Sequence, residues 1–199
     1  MPKETKIAAA VLAGGKNSRL KQEKSLLEFA GKTLLQTELE LLKKIFSKVV
    51  VVSSKPQIAA ALPNHLCLQD IYSNGGPLAG IQAALQHFSK PVFIFGCDMP
   101  CLDEEIILAQ IKQFQQSQAD VLVPRHSKGL EPLHAIYAPA CRPVIEQNIF
   151  DQIYAIHLIF SKLKLQYFDI EPQKTRCFFN INTRNDWQKF LTLQNEQTR

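Results

Sequence analysis

The stretch AAAVLAGGKNSRLKQEKSLLEF, from Ala8 to Phe29, decides the fold class. Residues 7–13 form an uninterrupted apolar run that predicts a buried β-strand, and Gly14 and Gly15 follow it directly. Adjacent glycines let the backbone approach a ligand without a Cβ in the way. The cationic side chains that follow could neutralise several phosphate charges; they are Lys16, Arg19, Lys21 and Lys24. The stretch predicts a phosphate-binding loop after the first strand, with a Gly-Gly turn and a solvated basic loop as the alternative.

Two common phosphate-binding motifs do not describe this loop. It is not a Walker A loop, because Asn17 follows Gly15-Lys16 and no glycine stands five residues before Gly15. The G-x-G-x-x-G pattern of dinucleotide-binding proteins is also absent from the loop.

The rest of the chain alternates apolar runs with helical patterns. Thr33 and Gln36 have the spacing of a capping box, followed by leucines on one helical face. Strands are predicted over 48–54, 66–69, 91–98, 119–124, 133–138 and 165–170, and helices over 33–46, 56–61, 77–88, 103–117, within 139–163 and from about Thr183. This alternation predicts an α/β fold of the Rossmann-like, three-layer α/β/α kind, with a mostly parallel sheet.

Length and composition predict a single domain over residues 1–199. The longest apolar runs are far shorter than the ~20 residues that a membrane-spanning helix needs, and the first six residues, MPKETK, contain no apolar signal segment. We therefore expect a cytoplasmic protein with no membrane partner. The net charge of +5 suits an anionic substrate but is too small and dispersed for a nucleic-acid surface.

The five cysteines are an odd number without a C-x-x-C pair. In a reducing compartment such cysteines are expected to be small buried hydrophobic residues. Cys97 and Cys101 are disfavoured as zinc ligands, because a structural zinc site uses four ligands in paired spacing.

Polar residues follow two of the predicted strands. Asp98 comes after the apolar run 92–95, and a carboxylate at a strand end suits Mg²⁺; the alternative is a cap for the helix that begins near Asp103. Asp70 closes the strand over 66–69, with a turn-forming role as the alternative. Residues 75–77 (GGP) open a helix whose positive end could face an anion, or they form a plain turn.

Five segments together resemble the molybdenum cofactor guanylyltransferases, within the wider nucleotidyltransferases. They are residues 12–35 (LAGGKNSRLKQEKSLLEFAGKTLL), 75–85 (GGPLAGIQAAL), 96–100 (GCDMP), 131–137 (EPLHAIY) and 179–187 (FNINTRNDW). The resemblance runs from about Ile7 to Phe190 and implies a nucleotidyltransferase fold. The chain departs from the family pattern at Leu20-Lys21, where Met-Gly is usual. It also carries Ser53 and Ser54 where the second strand usually ends with an asparagine.

The resemblance implies a role for each matching residue. GTP would be bound by Leu12, Ala13, Gly14, Gly15, Lys24, Asp70 and Asp98. Lys24, Arg19 and Asp98 would be catalytic, with Asp98 as the Mg²⁺ ligand, and Asn180 and Asn182 would lie near the acceptor substrate.

The implied reaction transfers GMP from GTP to the phosphate of the molybdenum cofactor, or molybdopterin, and releases pyrophosphate. Molybdenum-insertion or acceptor proteins are implied as further partners. Three alternatives stay open: a cytidylyl- or sugar-phosphate nucleotidyltransferase of the same fold, a protein that binds the nucleotide or pterin without chemistry, and a structural adaptor. An adaptor would need neither Lys24 nor Asp98.

Overall fold

The computed structural model describes residues 6–14, 23–72 and 75–197. The strands are β1 (Ala8–Leu12), β2 (Glu28–Phe29), β3 (Lys32–Thr33), β4 (Val49–Val52), β5 (Cys67–Leu68), β6 (Val92–Gly96), β7 (Val121–His126), β8 (Gly129–Leu130), β9 (His134–Tyr137) and β10 (Leu165–Asp169). The α-helices are α1 (Leu34–Ile45), α2 (Pro56–Ala61), α3 (Gly76–Phe88), α4 (Glu104–Gln115), α5 (Cys141–Phe150) and α6 (Arg184–Gln197). Three 3₁₀ helices cover Lys24–Leu26, Ile156–Lys162 and Pro172–Phe178.

One mixed sheet forms the centre of the molecule, with the strand order β10-β7-β9-β6-β1-β4-β5 and with β8 paired to β7. Strand β9 runs antiparallel to both of its neighbours, whereas β1, β4, β5 and β6 are parallel to one another. Strands β2 and β3 form a separate hairpin. The predicted α/β fold with a mostly parallel sheet is confirmed.

Helices cover both faces of the sheet. On one face, α1 and α4 pack their apolar side chains against Val11, Phe93 and Phe95. On the other face, α3 and α5 pack against Ala10 and Ile94. Side chains on a strand alternate between faces, so β1 and β6 each contribute to both apolar clusters. This is the three-layer α/β/α arrangement that the alternation of elements predicts.

Local signals in the sequence explain where the helices begin. The predicted capping box is present: the Gln36 amide donates to Thr33 Oγ1 at 3.1 Å, and the Thr33 amide donates to Gln36 Oε1 at 2.9 Å. At the start of α4, Asp103 accepts from the amides of Glu105 and Ile106. Because Asp103 caps α4, Asp98 is not needed as its cap.

Helix α3 lies very close to β1. A Cβ built on Gly80 would stand 3.0 Å from Leu12 Cδ2, so only a glycine fits here without movement of Leu12. The helix begins at Gly76, which has φ of +59°, a left-handed conformation that glycine adopts without strain. Gly80 therefore allows α3 to pack closely on β1, the strand that leads to the predicted site, and Gly76 and Pro77 stand at the start of the helix.

The structure differs from the sequence-based expectation in a few elements. The sequence does not predict the β2–β3 hairpin, the short β8 or the 3₁₀ helices at Lys24–Leu26 and Pro172–Phe178. Within 139–163, the expected helices are α5 and the 3₁₀ helix Ile156–Lys162. Two-residue strands carry too short a pattern to be detected in sequence. None of the helices in the described part of the chain has both the length and the apolar character needed to cross a membrane.

Candidate active site

The carboxyl ends of β1 and β6 lie side by side at the centre of the sheet. From β1 the chain continues to β4 on one side, and it later returns to β6 on the other side. Leu12 is paired with Gly96, and the Cys97 amide donates to the Leu12 carbonyl at 3.3 Å. A reversal of strand order of this kind is where ligands bind in open α/β sheets. The Ala13-Gly14 and Cys97-Asp98 segments therefore lie side by side at this switch point.

Ala13 and Gly14 continue the chain beyond β1. Ala13 is buried, and its amide donates to the Val52 carbonyl at 2.9 Å. Gly14 is exposed, and a Cβ built on it would meet no described atom within 4 Å. The exposed backbone at Gly14 is thus accessible to a ligand. Gly15 and Arg19, also predicted for this loop, lie outside the described residues.

Lys24 connects two of the predicted motifs. It is the first residue of the 3₁₀ helix Lys24–Leu26. Its Nζ donates to Asn182 Oδ1 at 2.7 Å and lies 3.8 Å from Asp98 Oδ2. The Asp98 carbonyl also accepts from the Ile181 amide at 2.9 Å. Lys24, Asp98 and Asn182, which are far apart in the sequence, are therefore brought together.

The Asp98 carboxylate is partly buried, with 26% of its side chain exposed. Burial raises the pKa of Asp98, whereas the Lys24 ammonium acts in the opposite direction. The net direction shows that Lys24 does not fully compensate for the lost hydration of the carboxylate. A cation bound at Asp98 would supply the missing compensation.

Asp70 and Asn180 stand apart from this cluster. Asp70 follows β5, which is separated from β1 by β4, and burial raises the pKa of its carboxyl group. The Asn180 side chain donates to the Phe178 carbonyl at 3.2 Å. Within the described ranges, no hydrogen bond or ion pair joins Asp70 or Asn180 to Lys24 or Asp98. Asp70 thus follows a strand, whereas Asn180 follows the 3₁₀ helix Pro172–Phe178 and directly precedes Ile181, the residue whose amide donates to the Asp98 carbonyl.

A buried glutamate beside the cluster was missed by sequence reasoning. Glu38 of α1 is only 5% exposed, and its Oε1 has no hydrogen-bond partner among the described residues. Burial raises the pKa of Glu38 well above its usual value, and the negative charge of Asp98 adds to this effect. The signal was present in the sequence, because Glu38 stands three residues after Leu35 and four before Leu42 on the apolar face of α1.

The chain matches the family described as "MobA-like NTP transferase domain" over residues 9–160. It is 32% identical over 196 residues to a "Probable molybdenum cofactor guanylyltransferase" of Pelotomaculum thermopropionicum, covering 94% of each chain. A protein of the same name from Thermococcus kodakarensis is 33% identical over 193 residues, which cover 93% of this chain and 94% of that protein.

A solved structure shows the same architecture. The molybdopterin-guanine dinucleotide biosynthesis protein A of Archaeoglobus fulgidus superposes with a TM-score of 0.85 at 28% identity, covering 95% of this chain and 99% of that one. The match of the family model, the identity to the curated relatives and the arrangement of the strand ends agree. The chain belongs to the MobA-like NTP transferase domain family.

Proposed function

We propose that the protein transfers GMP from GTP to the terminal phosphate of the molybdenum cofactor, or molybdopterin, and releases pyrophosphate. One observation carries the proposal: Lys24, Asp98 and Asn182 meet at the switch point of the sheet. The names of relatives that match this chain over more than nine-tenths of its length support the choice of substrates.

The loop after β1 would bind GTP. In the proposal, the backbone of Leu12, Ala13 and Gly14 contacts the nucleotide, since Gly14 presents exposed backbone at the switch point. Gly15 would take part in the same binding, and Arg19 would act in catalysis by stabilising charge on the departing pyrophosphate. Asp70 would contact GTP from the end of β5, and Asn180 and Asn182 would lie on the acceptor side.

The residues at the switch point between β1 and β6 fit a divalent cation. No group of three or more candidate metal-binding side chains occurs in the described part of the chain, and Mg²⁺ in nucleotide sites needs only one or two carboxylates besides phosphate and water oxygens. Asp98 offers a hard oxygen ligand that is partly dehydrated and incompletely paired. We propose Asp98 as the Mg²⁺ ligand. A bound cation would neutralise negative charge on the phosphates during transfer.

The proposed reaction needs no strong general base. An anionic phosphate oxygen of the acceptor forms a bond to the α-phosphorus of GTP, the bond to the β-phosphate oxygen breaks, and pyrophosphate leaves with the electron pair. The work of the protein is alignment and stabilisation of charge. Lys24 contacts both Asp98 and Asn182, and in the proposal it would stabilise negative charge that develops on the departing pyrophosphate.

Nucleotide specificity tests the proposal. GTP with Mg²⁺ should raise the melting temperature more than ATP, CTP or UTP does, because a ligand at 100 times its Kd adds about 2.7 kcal/mol of stability. Pyrophosphate should then be released when molybdenum cofactor is added.

Each alternative gives a different result in the same experiment, and a structural adaptor would show no shift with any nucleotide and Mg²⁺. A larger shift with CTP would favour a cytidylyltransferase, and release only with a sugar phosphate would favour sugar activation. A shift in melting temperature without pyrophosphate release would indicate a binding protein.

The free cysteines in the described part of the chain are typical of a reducing compartment, and we propose the cytoplasm as the site of the reaction.

A further inference from the structure

Two residues that follow β4, Ser53 and Lys55, contact Ala13 and Glu23, which lie at the two ends of the segment between β1 and the 3₁₀ helix at Lys24; we name Ser53 and Lys55 the β4 clasp. Ser53 is 7% exposed, and its hydroxyl donates to the Ala13 carbonyl at 2.6 Å. The same hydroxyl accepts from the Lys55 amide at 3.2 Å. Because both hydrogen-bonding roles of Ser53 are used, its side chain has one defined orientation against Ala13.

The second contact is an ion pair at the other end of the segment. Lys55 Nζ lies 2.6 Å from Glu23 Oε2, and the exposed fractions of the two side chains are only 22% and 10%. In the exposed pair Lys32–Glu40, more than half of each side chain is accessible. Solvent screens an exposed pair strongly, whereas removal of one partner from a buried pair leaves an uncompensated charge. The Lys55–Glu23 pair therefore constrains the positions of its two residues more strongly than the exposed Lys32–Glu40 pair does.

Both contacts bear on residues of the proposed nucleotide site. Ala13 directly precedes Gly14, so its carbonyl orientation sets the plane of the peptide bond that presents the Gly14 amide. Glu23 directly precedes Lys24, and the carbonyls of Glu23 and Lys24 accept from the amides of Leu26 and Leu27. Glu23 is thus both the N-cap residue of the 3₁₀ helix at Lys24 and the ion-pair partner of Lys55.

We propose that Ser53 and Lys55 are positioning residues for nucleotide transfer, an inference that rests on the proposed function. Ser53 orients the backbone at Ala13-Gly14, and Lys55 acts through Glu23 to place Lys24 beside Asp98. The β4 clasp holds the backbone at Ala13 and at Glu23 in a defined relative position.

The test compares variants of the ion pair. Lys55→Met and Glu23→Gln should each lower kcat/KM for GTP by about 10- to 100-fold, since a misplacement of about 1 Å in a catalytic group costs on the order of 100-fold in rate. Lys55→Arg keeps the charge and should recover most of the activity. Lys32→Met breaks the exposed pair and serves as the matched control, with unchanged kcat/KM.

Glu23→Gln separates positioning from direct binding of phosphate by Lys55. If Lys55 bound the nucleotide itself, loss of the Glu23 charge would free its ammonium and leave GTP affinity equal or higher, which would overturn the proposal. A lowered melting temperature in Lys55→Met with normal kcat/KM in the folded fraction would also overturn it. For Ser53→Ala we expect a raised KM for GTP that Ser53→Thr corrects; an unchanged KM contradicts the role of Ser53.

Amide hydrogen exchange tests the structural role of the β4 clasp independently of activity. The Ala13 amide should exchange faster in Ser53→Ala, and the Leu26 and Leu27 amides should exchange faster in Lys55→Met, with no change in Lys32→Met. If the wild type transfers no nucleotide, the proposed function fails. The structural role of Ser53 and Lys55 is then tested by hydrogen exchange alone. Unchanged exchange at these amides would then refute it.

Discussion

At Asp98, burial and a neighbouring positive charge act on the pKa in opposite directions. Lys24 lies 3.8 Å from its carboxylate, but burial still raises the pKa of Asp98. A carboxylate whose ionisation is disfavoured in the folded protein lowers stability at neutral pH, so its presence needs a reason other than folding. Binding a cation that the phosphates of a nucleotide share is such a reason.

For Asp98→Asn we expect a folded protein with a melting temperature at or above that of the wild type, because the costly buried charge is removed. Guanylyl transfer should fall by about 10²- to 10⁴-fold, since loss of a metal ligand removes several kcal/mol of transition-state stabilisation and each 1.36 kcal/mol is about tenfold in rate. Thermal unfolding and pyrophosphate release are measured on the same preparation. An early-melting variant with normal turnover would show that Asp98 is structural.

Glu38 predicts an unusual dependence of stability on pH. Burial and the charge of Asp98 raise the pKa of Glu38, so the folded state holds its proton more tightly than the unfolded state does. The cost is absent below the unfolded pKa of about 4.3 and grows as the pH rises from there toward the folded pKa. Glu38→Gln should therefore be more stable than the wild type at neutral pH.

Melting temperatures across pH measure this effect. We expect Glu38→Gln to exceed the wild type by at least about 2–4 °C at pH 7, which corresponds to roughly 1 kcal/mol in a domain of this size, and to lose the advantage near pH 4. The control is Glu40→Gln, on the same helix but exposed and paired with Lys32. Parallel curves for Glu38→Gln and the wild type would show that Glu38 is ionised without cost.

At the scale of elements, the start of α6 places the turn that carries Asn182. Asp186 Oδ2 accepts from the amides of Asn182 and Thr183 and from the Thr183 hydroxyl, and the Asp186 amide donates back to Thr183 Oγ1. This reciprocal pattern is a capping arrangement at the first turn of the helix. The cap thereby links the stability of α6 to the position of Asn182, the hydrogen-bond partner of Lys24.

Asp186→Ala should lower the free energy of unfolding by about 1 kcal/mol, the usual cost of losing a cap. The hydrogen bonds from Thr183 and from the backbone lower the pKa of Asp186. Its contribution is therefore complete above the unfolded pKa of about 3.9 and is lost as the pH falls through the lower folded pKa. Denaturation of variant and wild type at pH 7 and in acid checks this, with the exposed Asn185→Ala as control. A difference that persists unchanged in acid would contradict the assignment.

At the scale of the whole molecule, a small apolar cluster stands beside the two large clusters of the sheet. It contains Leu27, Leu34, Ile181 and Phe190, and Trp187 packs against it. Helix α1 begins in this small cluster, and its later turns lie in the core of the sheet. This sharing of one helix supports a single cooperative unit.

Unfolding followed by two probes tests the proposal that residues 1–199 form one domain. Trp187 is the only tryptophan of the chain and reports on the small cluster, whereas circular dichroism reports on all helices. We expect the same midpoint in denaturant for both signals, as in a two-state transition. An earlier fluorescence transition would mean that the region around α6 unfolds separately.

The elements near the site differ in how far sequence could predict them. Strand β1, the cap of α1 and the proline-led start of α3 depend on residues within a few positions of one another, and the structure confirms them. The antiparallel direction of β9 depends on pairing with β6 and β7, which are distant in the sequence. The alternation of side chains along a strand is the same in parallel and antiparallel strands, so the sequence pattern cannot distinguish the two orientations.

The sequence by itself determined the α/β class, the strand that leads to the glycine loop and the position of Asp98 at a strand end, because hydrophobic periodicity and capping act within a few residues. Only the tertiary structure decided that Lys24 meets Asn182 across 158 positions, that Glu38 is buried beside Asp98 and that Lys55 pairs with Glu23. These contacts join segments that are distant in the sequence and adjacent only in the folded molecule. Their strength depends on burial, which is a property of the packed molecule and not of any local stretch of chain.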